Sequence, residues 1–492
     1  MKRFYLTTPL YYVNAPPHIG HAYTTIAADV LARFWRSAGR PVHLLTGTDE
    51  HGLKIEQAAA AAGLSPLRFS DNISAQFKEL WDHLDIRYDD FIRTTEPRHE
   101  TRVQECFSKL LKSGDVFKGL YRGFYCVSDE TYWTETDAAP DEKGRRLCPN
   151  PECRKPLQAV EEESYFFRLS KYQQPLLKHY RDNPGFLKPS HRANEILRFV
   201  EGGLQDTAIS RTKVQWGIPV PGDEAHTVYV WFDALLNYVT APQSSDAFAD
   251  IWPADVHIVG KEIYRFHAVT WPAMLMALGL PLPKSVFAHG WWTVEGKKMS
   301  KSQGNFVDPR AVTNEFGVDA LRYFLLREMP FGNDGDFSQA SLKKRYNAEL
   351  GNDLGNLLNR TVDMVDRYLA GELPRRAAPG ESPLAQELSA KQPLLSSRME
   401  ELDFSGALGL IWEAIGRLNA EVNAQAPWKL VKTDPAATQR FLFDLVRSLR
   451  IIGGWLEPFM PQTSAKMQAQ LGMRQTDGGK IQKAPLLFPR KL

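Results

Sequence analysis

Apolar and aromatic residues run almost without a break from Phe4 to Tyr12, which predicts a buried strand. Pro16 and Pro17 stop that strand and start a helix, in which Ile19, Tyr23, Ile26, Ala27, Val30, Leu31 and Phe34 recur three or four apart until Gly39. Val42 to Leu45 reads as a second short strand ending in Thr46-Gly-Thr-Asp-Glu-His-Gly52. Residues 53–112 read as mostly amphipathic helix, with Phe69, Ile73, Phe77, Leu80, Trp81 and Leu84 on one face. Between about 115 and 215 the pattern breaks: short aromatic strands, Tyr121 to Val127 and Tyr165 to Leu169, flank a loop rich in charge and proline. Strands then resume at His226 to Phe232, Val256 to Val259 and Ser285 to Ala288. From about 340 the spacing is helical, with Leu350, Leu354, Leu357, Leu358 and Val362 on one face and further helices at about 385–400, 404–424 and 435–457. The pattern predicts an α/β protein in which a Rossmann-type parallel sheet is split by an inserted connective domain and followed by an all-α helical bundle.

Composition narrows the class. A chain of 492 residues with 43% apolar residues can pack several cores. It shows no run of about 18 apolar residues and no signal-type apolar segment after Met1-Lys2-Arg3, so a soluble, cytoplasmic protein is expected. Four cysteines at this length argue against a disulfide framework. Charge is uneven: residues 341–492 carry 21 Lys and Arg against 16 Asp and Glu, and the first 340 carry 39 against 42. The bias mildly favours a polyanionic partner for the C-terminal part, and a solvated helical face explains it nearly as well.

Candidate chemistry sits at the strand ends. His18-Ile-Gly-His21 falls where a strand turns into a helix, a place that favours an anion and, at Gly20, lets a flat ligand approach. A lysine, serine and glycine run, Gly296-Lys-Lys-Met-Ser-Lys-Ser-Gln-Gly-Asn305, suits polyphosphate. Asp49 closes the second strand, where it would hold a substrate ammonium or cap the next helix. Tyr12, Trp231, Tyr238, Phe266, His267 and Trp271 would line a small apolar slot or pack as core. In the insertion Cys126, Cys148 and Cys153 cluster, and Asp129 stands where a zinc knuckle would place its second cysteine. Two readings stay open there: bound Zn²⁺ on Cys126, Asp129, Cys148 and Cys153, or a packed knob with free thiols.

The His-Ile-Gly-His and Lys-Met-Ser-Lys-Ser runs together resemble the paired signatures of class I aminoacyl-tRNA synthetases. Thr-Asp-Glu-His-Gly at 48–52, Val-Trp-Phe-Asp-Ala at 230–234, Phe-His-x-x-x-Trp-Pro-Ala-Met-Leu at 266–275 and Gln-Ala-Pro-Trp at 425–428 extend the resemblance to the methionyl-tRNA synthetase family, along essentially the whole chain. The resemblance implies that L-methionine is activated with ATP and Mg²⁺ to the adenylate and passed to the 3′ end of initiator and elongator tRNA(Met). It implies a methionine site of Leu10, Tyr12, Asp49, Trp231, Ala234, Tyr238, Ile263, Phe266, His267 and Trp271. ATP would meet His18, Gly20, His21, Gly260, Lys261, His289, Lys298, Met299, Ser300, Lys301 and Ser302, with His18, His21, Lys298 and Lys301 catalytic. Arg211 would lie near the adenylate, and Asn356, Arg360 and Trp428 would read the anticodon. The implied domains are 1–114 and 216–290 for the two catalytic halves, 115–215 for the insertion, 291–345 for the Lys-Met-Ser-Lys-Ser loop and stem-contact region, and 346–492 for anticodon binding. The knuckle departs from the family at Asp129. Without an appended oligonucleotide-binding domain before Leu492, the chain is expected to be a monomer with no obligate protein partner and no membrane association. The rival readings are another class I synthetase, a tRNA-binding module without catalysis, and a nucleotidyltransferase acting on a small acid.

Overall fold

The computed structural model describes residues 2–128, 130–133, 135, 137–141, 144–150, 153–243, 247–294, 296–298, 306–373, 382–472 and 480–491. Asp129, Met299, Ser300, Lys301 and Ser302 lie outside the described residues. The chain divides into two compact units, one of Met1–Pro17, Arg40–Asp82 and Ile86–His289, the other of His18–Gly39, His83–Asp85 and Gly290–Leu492.

The first unit is built on six parallel strands: β1 (Phe4–Tyr12), β2 (Val42–Asp49), β3 (Asp90–Arg93), β4 (Leu187–Lys188), β5 (Val256–Gly260) and β6 (Val286–His289). Their order is β3-β2-β1-β5-β6-β4. Leu6, Leu44, Leu45, Ile258, Val259 and Ala288 are fully buried, as expected of a parallel sheet covered on both faces. Gly47 permits the close approach of β3 to β2, since a Cβ there would lie 1.9 Å from the Ile92 carbonyl oxygen.

Three expectations shift. The span 53–112 is helix Leu53–Ala61, helix Pro66–His83, strand β3 and helix Pro97–Ser113. Asp90-Phe-Ile-Arg93 has only two apolar residues, too few for a periodic signal, and becomes a strand by pairing with β2. Likewise Trp231 and Phe232 do not continue a strand: Asp223–Val228 pairs antiparallel with Ser210–Arg211, and Val230 opens a helix to Gln243. In the insertion the strands are longer than expected, Val116–Cys126 and Gln158–Phe167, because Glu161, Glu162 and Glu163 sit opposite Arg122, Tyr121 and Leu120 and hide the second strand's start. With Thr131–Trp133 and Thr207–Ala208 they form a four-stranded antiparallel sheet.

The second unit explains its own discontinuity. Arg322 is fully buried and donates to Asp29 (2.6 Å) and to the carbonyls of Phe459 (2.9 Å), Pro458 (3.0 Å) and Leu84 (3.2 Å). Arg33 Nε donates to the same Asp29 oxygen, Oδ2, at 2.7 Å. A buried guanidinium needs every donor satisfied, so helix Ile19–Ser37, residues 83–85 and the C-terminal helices are tied together. A small sheet joins Trp292–Val294 to Lys297–Lys298 and Gly335–Phe337, and the helices Phe404–Gln425 and Pro435–Leu456 carry the bundle core. Among the described residues no helix is long and apolar enough to cross a membrane.

Candidate functional site

In the first unit the expected residues are the last residues of their strands: Tyr12 ends β1, Asp49 β2, Gly260 β5 and His289 β6. All four strands are parallel, so these residues share the carboxyl edge of the sheet, where open α/β sheets bind ligands. Tyr12 is paired with Asp49 and Gly260 with His289, and Lys261 follows at once.

Asp49 is buried, and its Oδ1 has no hydrogen-bond partner among the described residues. Burial, then the charges of Asp233 and Glu130, push its carboxyl well above the usual range, while the His51 backbone N–H opposes the shift. Asp49 does not cap the following helix: Gly52, at φ 107°, is the cap residue and makes no side-chain cap bond. A buried carboxylate with an oxygen left over calls for a cation, and an α-ammonium supplies the charge and the donors.

Beside it lies an aromatic slot. Trp231, Ala234 and Tyr238 fall on one face of helix Val230–Gln243, at spacings of three and four. Trp231 stacks on Phe266 with centroids 3.9 Å apart and planes 7° apart, and Trp271 tilts against Tyr238 at 5.8 Å. Phe266 and His267 stand on a single wide i→i+5 turn, Phe266–Thr270, a distortion that recurs at functional sites. His267 is buried, which pushes its pKa down to about 4 and leaves it neutral at pH 7. Its Nδ1 lies 3.0 Å from the Ile263 carbonyl oxygen, an acceptor only, so Nδ1 carries the proton and Nε2 accepts from the Tyr238 hydroxyl at 2.7 Å. Leu10 and Tyr12 are partly buried against the same core. The lining offers flat rings and no ionised group, a surface suited to a thioether chain.

His18 and His21 belong to the second unit. They cap helix Ile19–Ser37 reciprocally: His18 Nδ1 accepts from the Gly20 N–H (3.0 Å) and His21 Nδ1 accepts from the His18 N–H (3.1 Å). Because both Nδ1 atoms are acceptors, the neutral rings carry their protons on Nε2. Burial and the neighbouring His18 hold His21 well below the usual histidine range, so it is neutral. The rings stack at 3.8 Å, and His18 meets the edge of Phe306, the first described residue after the Lys-Met-Ser-Lys-Ser run. Lys298 is described by its backbone, paired with Thr293.

Arg211 lies in the first unit, on the short strand Ser210–Arg211. Its guanidinium lies 4.0 Å from the Tyr125 ring centroid and 5.3 Å from that of Tyr132, its Nε is 2.8 Å from Glu162, and its buried Nη1 has no hydrogen-bond partner among the described residues. Cys126, Cys148 and Cys153 converge with all three sulfurs within 4.8 Å of one another, and Cys126 Sγ lies 3.6 Å from Cys153 Sγ. Thiolates on tetrahedral zinc sit roughly 3.8 Å apart, so the three described donors fit that ion.

On the bundle, Asn356 is exposed and Arg360 stands one turn further along helix Asn356–Leu369. Arg360 lies 5.7 Å from the Trp428 ring centroid and donates to Asn423 at 3.2 Å, and Trp428 is 40% exposed. The three residues expected to read bases are therefore not core. Sequence reasoning missed Glu130, a buried carboxylate whose oxygens both lie 2.9 Å from the Tyr12 hydroxyl. It reaches there from the insertion through a left-handed backbone at φ 49°, which leaves no sequence signal. Local sequence also carries no signal for the pairing of His51 with Asp233, two buried residues 2.7 Å apart and 182 positions distant.

A family model described as tRNA synthetases class I (M) matches residues 4–362, and one described as the anticodon binding domain of methionyl tRNA ligase matches residues 374–486. The methionine-tRNA ligase of Caldanaerobacter subterraneus subsp. tengcongensis is 47% identical over 99% of this chain and 79% of its own length. That of Thermotoga maritima is 47% identical over 94% of this chain and 74% of its own. The solved Mycobacterium tuberculosis methionyl-tRNA synthetase in complex with methionyl-adenylate superposes with a TM-score of 0.94 at 40% identity, covering 100% of both chains. Identity of this extent, over the sheet that carries Asp49 and the bundle that carries Trp428 alike, leaves one conclusion: the chain belongs to the methionyl-tRNA synthetases, class I aminoacyl-tRNA synthetases that ligate methionine to tRNA.

Proposed function

We propose that this chain charges initiator and elongator tRNA(Met) by a division of roles that its own geometry supports. Asp49 takes the methionine ammonium, and the side chain enters the slot of Trp231, Tyr238, Phe266, His267 and Trp271. The Nε2–H groups of His18 and His21, at a helix N-terminus, take phosphate oxygens. Gly260, Lys261 and His289 meet the nucleotide at the strand ends, and Arg211 meets the adenylate. Lys298 and Lys301 offset the charge that grows on the leaving pyrophosphate. Mg²⁺ bound to the phosphates would neutralise further charge there.

The chemistry needs no covalent nucleophile on the protein. A methionine carboxylate oxygen attacks the α-phosphorus, the bond to the pyrophosphate oxygen breaks, and a mixed anhydride forms. A ribose hydroxyl of the terminal adenosine then attacks the anhydride carbonyl, loses its proton, and AMP departs. One observation carries this reading: the unpartnered, buried oxygen of Asp49 beside a ring-lined slot. Exchange of labelled pyrophosphate into ATP tests it. Methionine should stimulate exchange, and stimulation by isoleucine or cysteine instead would reject it.

Two further roles are part of the proposal. Cys126, Cys148 and Cys153, with Asp129 by sequence, would hold a structural Zn²⁺ that fixes the knuckle's fold. The purified chain is then expected to contain about one zinc per molecule, falling in Cys148→Ser, by metal analysis. A metal-free, fully folded chain would assign the thiols to packing. Trp428 would stack on an unpaired anticodon base, with Arg360 and Asn356 bonding its edges. Losing a base stack costs about 1–3 kcal/mol, so Trp428→Ala should raise KM for tRNA(Met) by about fivefold to about a hundredfold. Pyrophosphate exchange, which needs no tRNA, should not change.

A further inference from the structure

Behind the turn that carries Asp49, one buried carboxylate holds two imidazoles. Asp233 Oδ2 lies 2.7 Å from His51 Nδ1, Asp233 Oδ1 lies 2.6 Å from His99 Nε2, and His99 Nδ1 lies 2.7 Å from Thr240 Oγ1. All four residues are buried. They come from three elements: the turn after β2, helix Pro97–Ser113, and helix Val230–Gln243. The two imidazoles overcome the effect of burial and hold Asp233 below the usual carboxylate range, so it is an ion with a donor on each oxygen.

His51 is where this network reaches the site. Its backbone N–H is the hydrogen bond that opposes the upward shift of Asp49, and its carbonyl oxygen lies 3.0 Å from the Tyr12 hydroxyl. Its ring packs edge-on against Trp216, whose indole N–H donates to the Glu50 carbonyl at 2.5 Å. The residue that grips Asp49 through its backbone is thus clamped through its ring by Asp233.

We propose that Asp233 and His99 are positioning residues for the substrate ammonium, holding His51 and through it the carboxylate of Asp49 in the orientation that the ammonium requires. The inference rests on the reading of Asp49 given above, and the two are separable. Neither residue need touch methionine.

The test compares two ligands on the full chain by calorimetric titration: L-methionine, and its desamino analogue, the γ-methylthio butanoate that keeps the thioether and carboxylate. Wild type must prefer methionine strongly, and absence of that preference would refute the role of Asp49 itself. In His99→Ala the affinity for methionine should fall about tenfold, as for the loss of a charge-assisted hydrogen bond, while the analogue binds as before. His99→Gln, which returns an N–H near the position of Nε2, should recover most of the loss. An unchanged preference in His99→Ala, or equal weakening of both ligands, would overturn the proposal and leave His99 a packing residue. Should His99→Ala fail to fold, His99→Phe, which keeps the ring's bulk and leaves Asp233 in place, is put through the same pair of titrations. Its preference for methionine must fall, and an unaltered preference overturns the proposal equally.

Discussion

Replacing Asp49 with alanine is expected to lower kcat/KM for methionine by two to three and a half powers of ten, since a buried ammonium left without its counter-charge costs about 3–5 kcal/mol. The loss should appear in pyrophosphate exchange, and the melting temperature should not fall. Burial has already lifted this carboxyl above its ordinary range, so its removal from the free protein takes away a group that is costly to ionise. The sign of the pH effect follows from that upward shift. A carboxyl with a raised folded pKa contributes stability below its unfolded pKa and loses it as pH climbs through the folded value. A bound ammonium pairs with the ionised form and returns the lost free energy. Methionine should therefore raise the melting temperature more at about pH 8 than at about pH 5.5, and its dissociation constant should fall over the same interval. An affinity independent of pH in Asp49→Asn and pH-dependent in wild type would be the matching pair of results.

The second large effect is at His21. Removing one preorganised donor from a developing phosphate charge costs about a hundred- to a thousandfold in kcat. His21→Asn isolates that donor, because the asparagine Oδ1 can still accept the His18 N–H as Nδ1 does, while the Nε2–H is gone. The variant should fold and bind methionine like wild type yet exchange pyrophosphate at least about a hundredfold more slowly. His21→Ala loses the cap as well, about 1 kcal/mol of helix stability, so comparing the two separates the capping role from the chemical one. Equal kcat in His21→Asn and wild type would remove His21 from the chemistry.

How much of this was legible depends on range. β1 and helix Ile19–Ser37 follow from local periodicity and two prolines, and the carboxyl-edge position of Asp49 follows from its place after an apolar run. Short-range spacing also put Arg360 one turn after Asn356. β3 was not legible, because four residues with charged ends become a strand only when β2 supplies the partner. Local pattern puts Trp231 in a strand because aromatic residues favour strands, and its helical face matters only once Phe266 stacks on it.

The sequence by itself determined the class of sheet, the insertion, the helical C-terminal part and the residue types at the strand ends, since each depends on neighbours a few positions away. Tertiary structure alone decided the ionisation and tautomer of the chemical groups. The neutrality of His267 comes from burial, the lone oxygen of Asp49 from which donors the fold left out, and the hydrogen bond on Asp233 Oδ1 from a histidine 134 positions distant. Local sequence carries hydrophobic pattern, whereas proton affinity is set by solvent exclusion and by charges that only folding brings within reach.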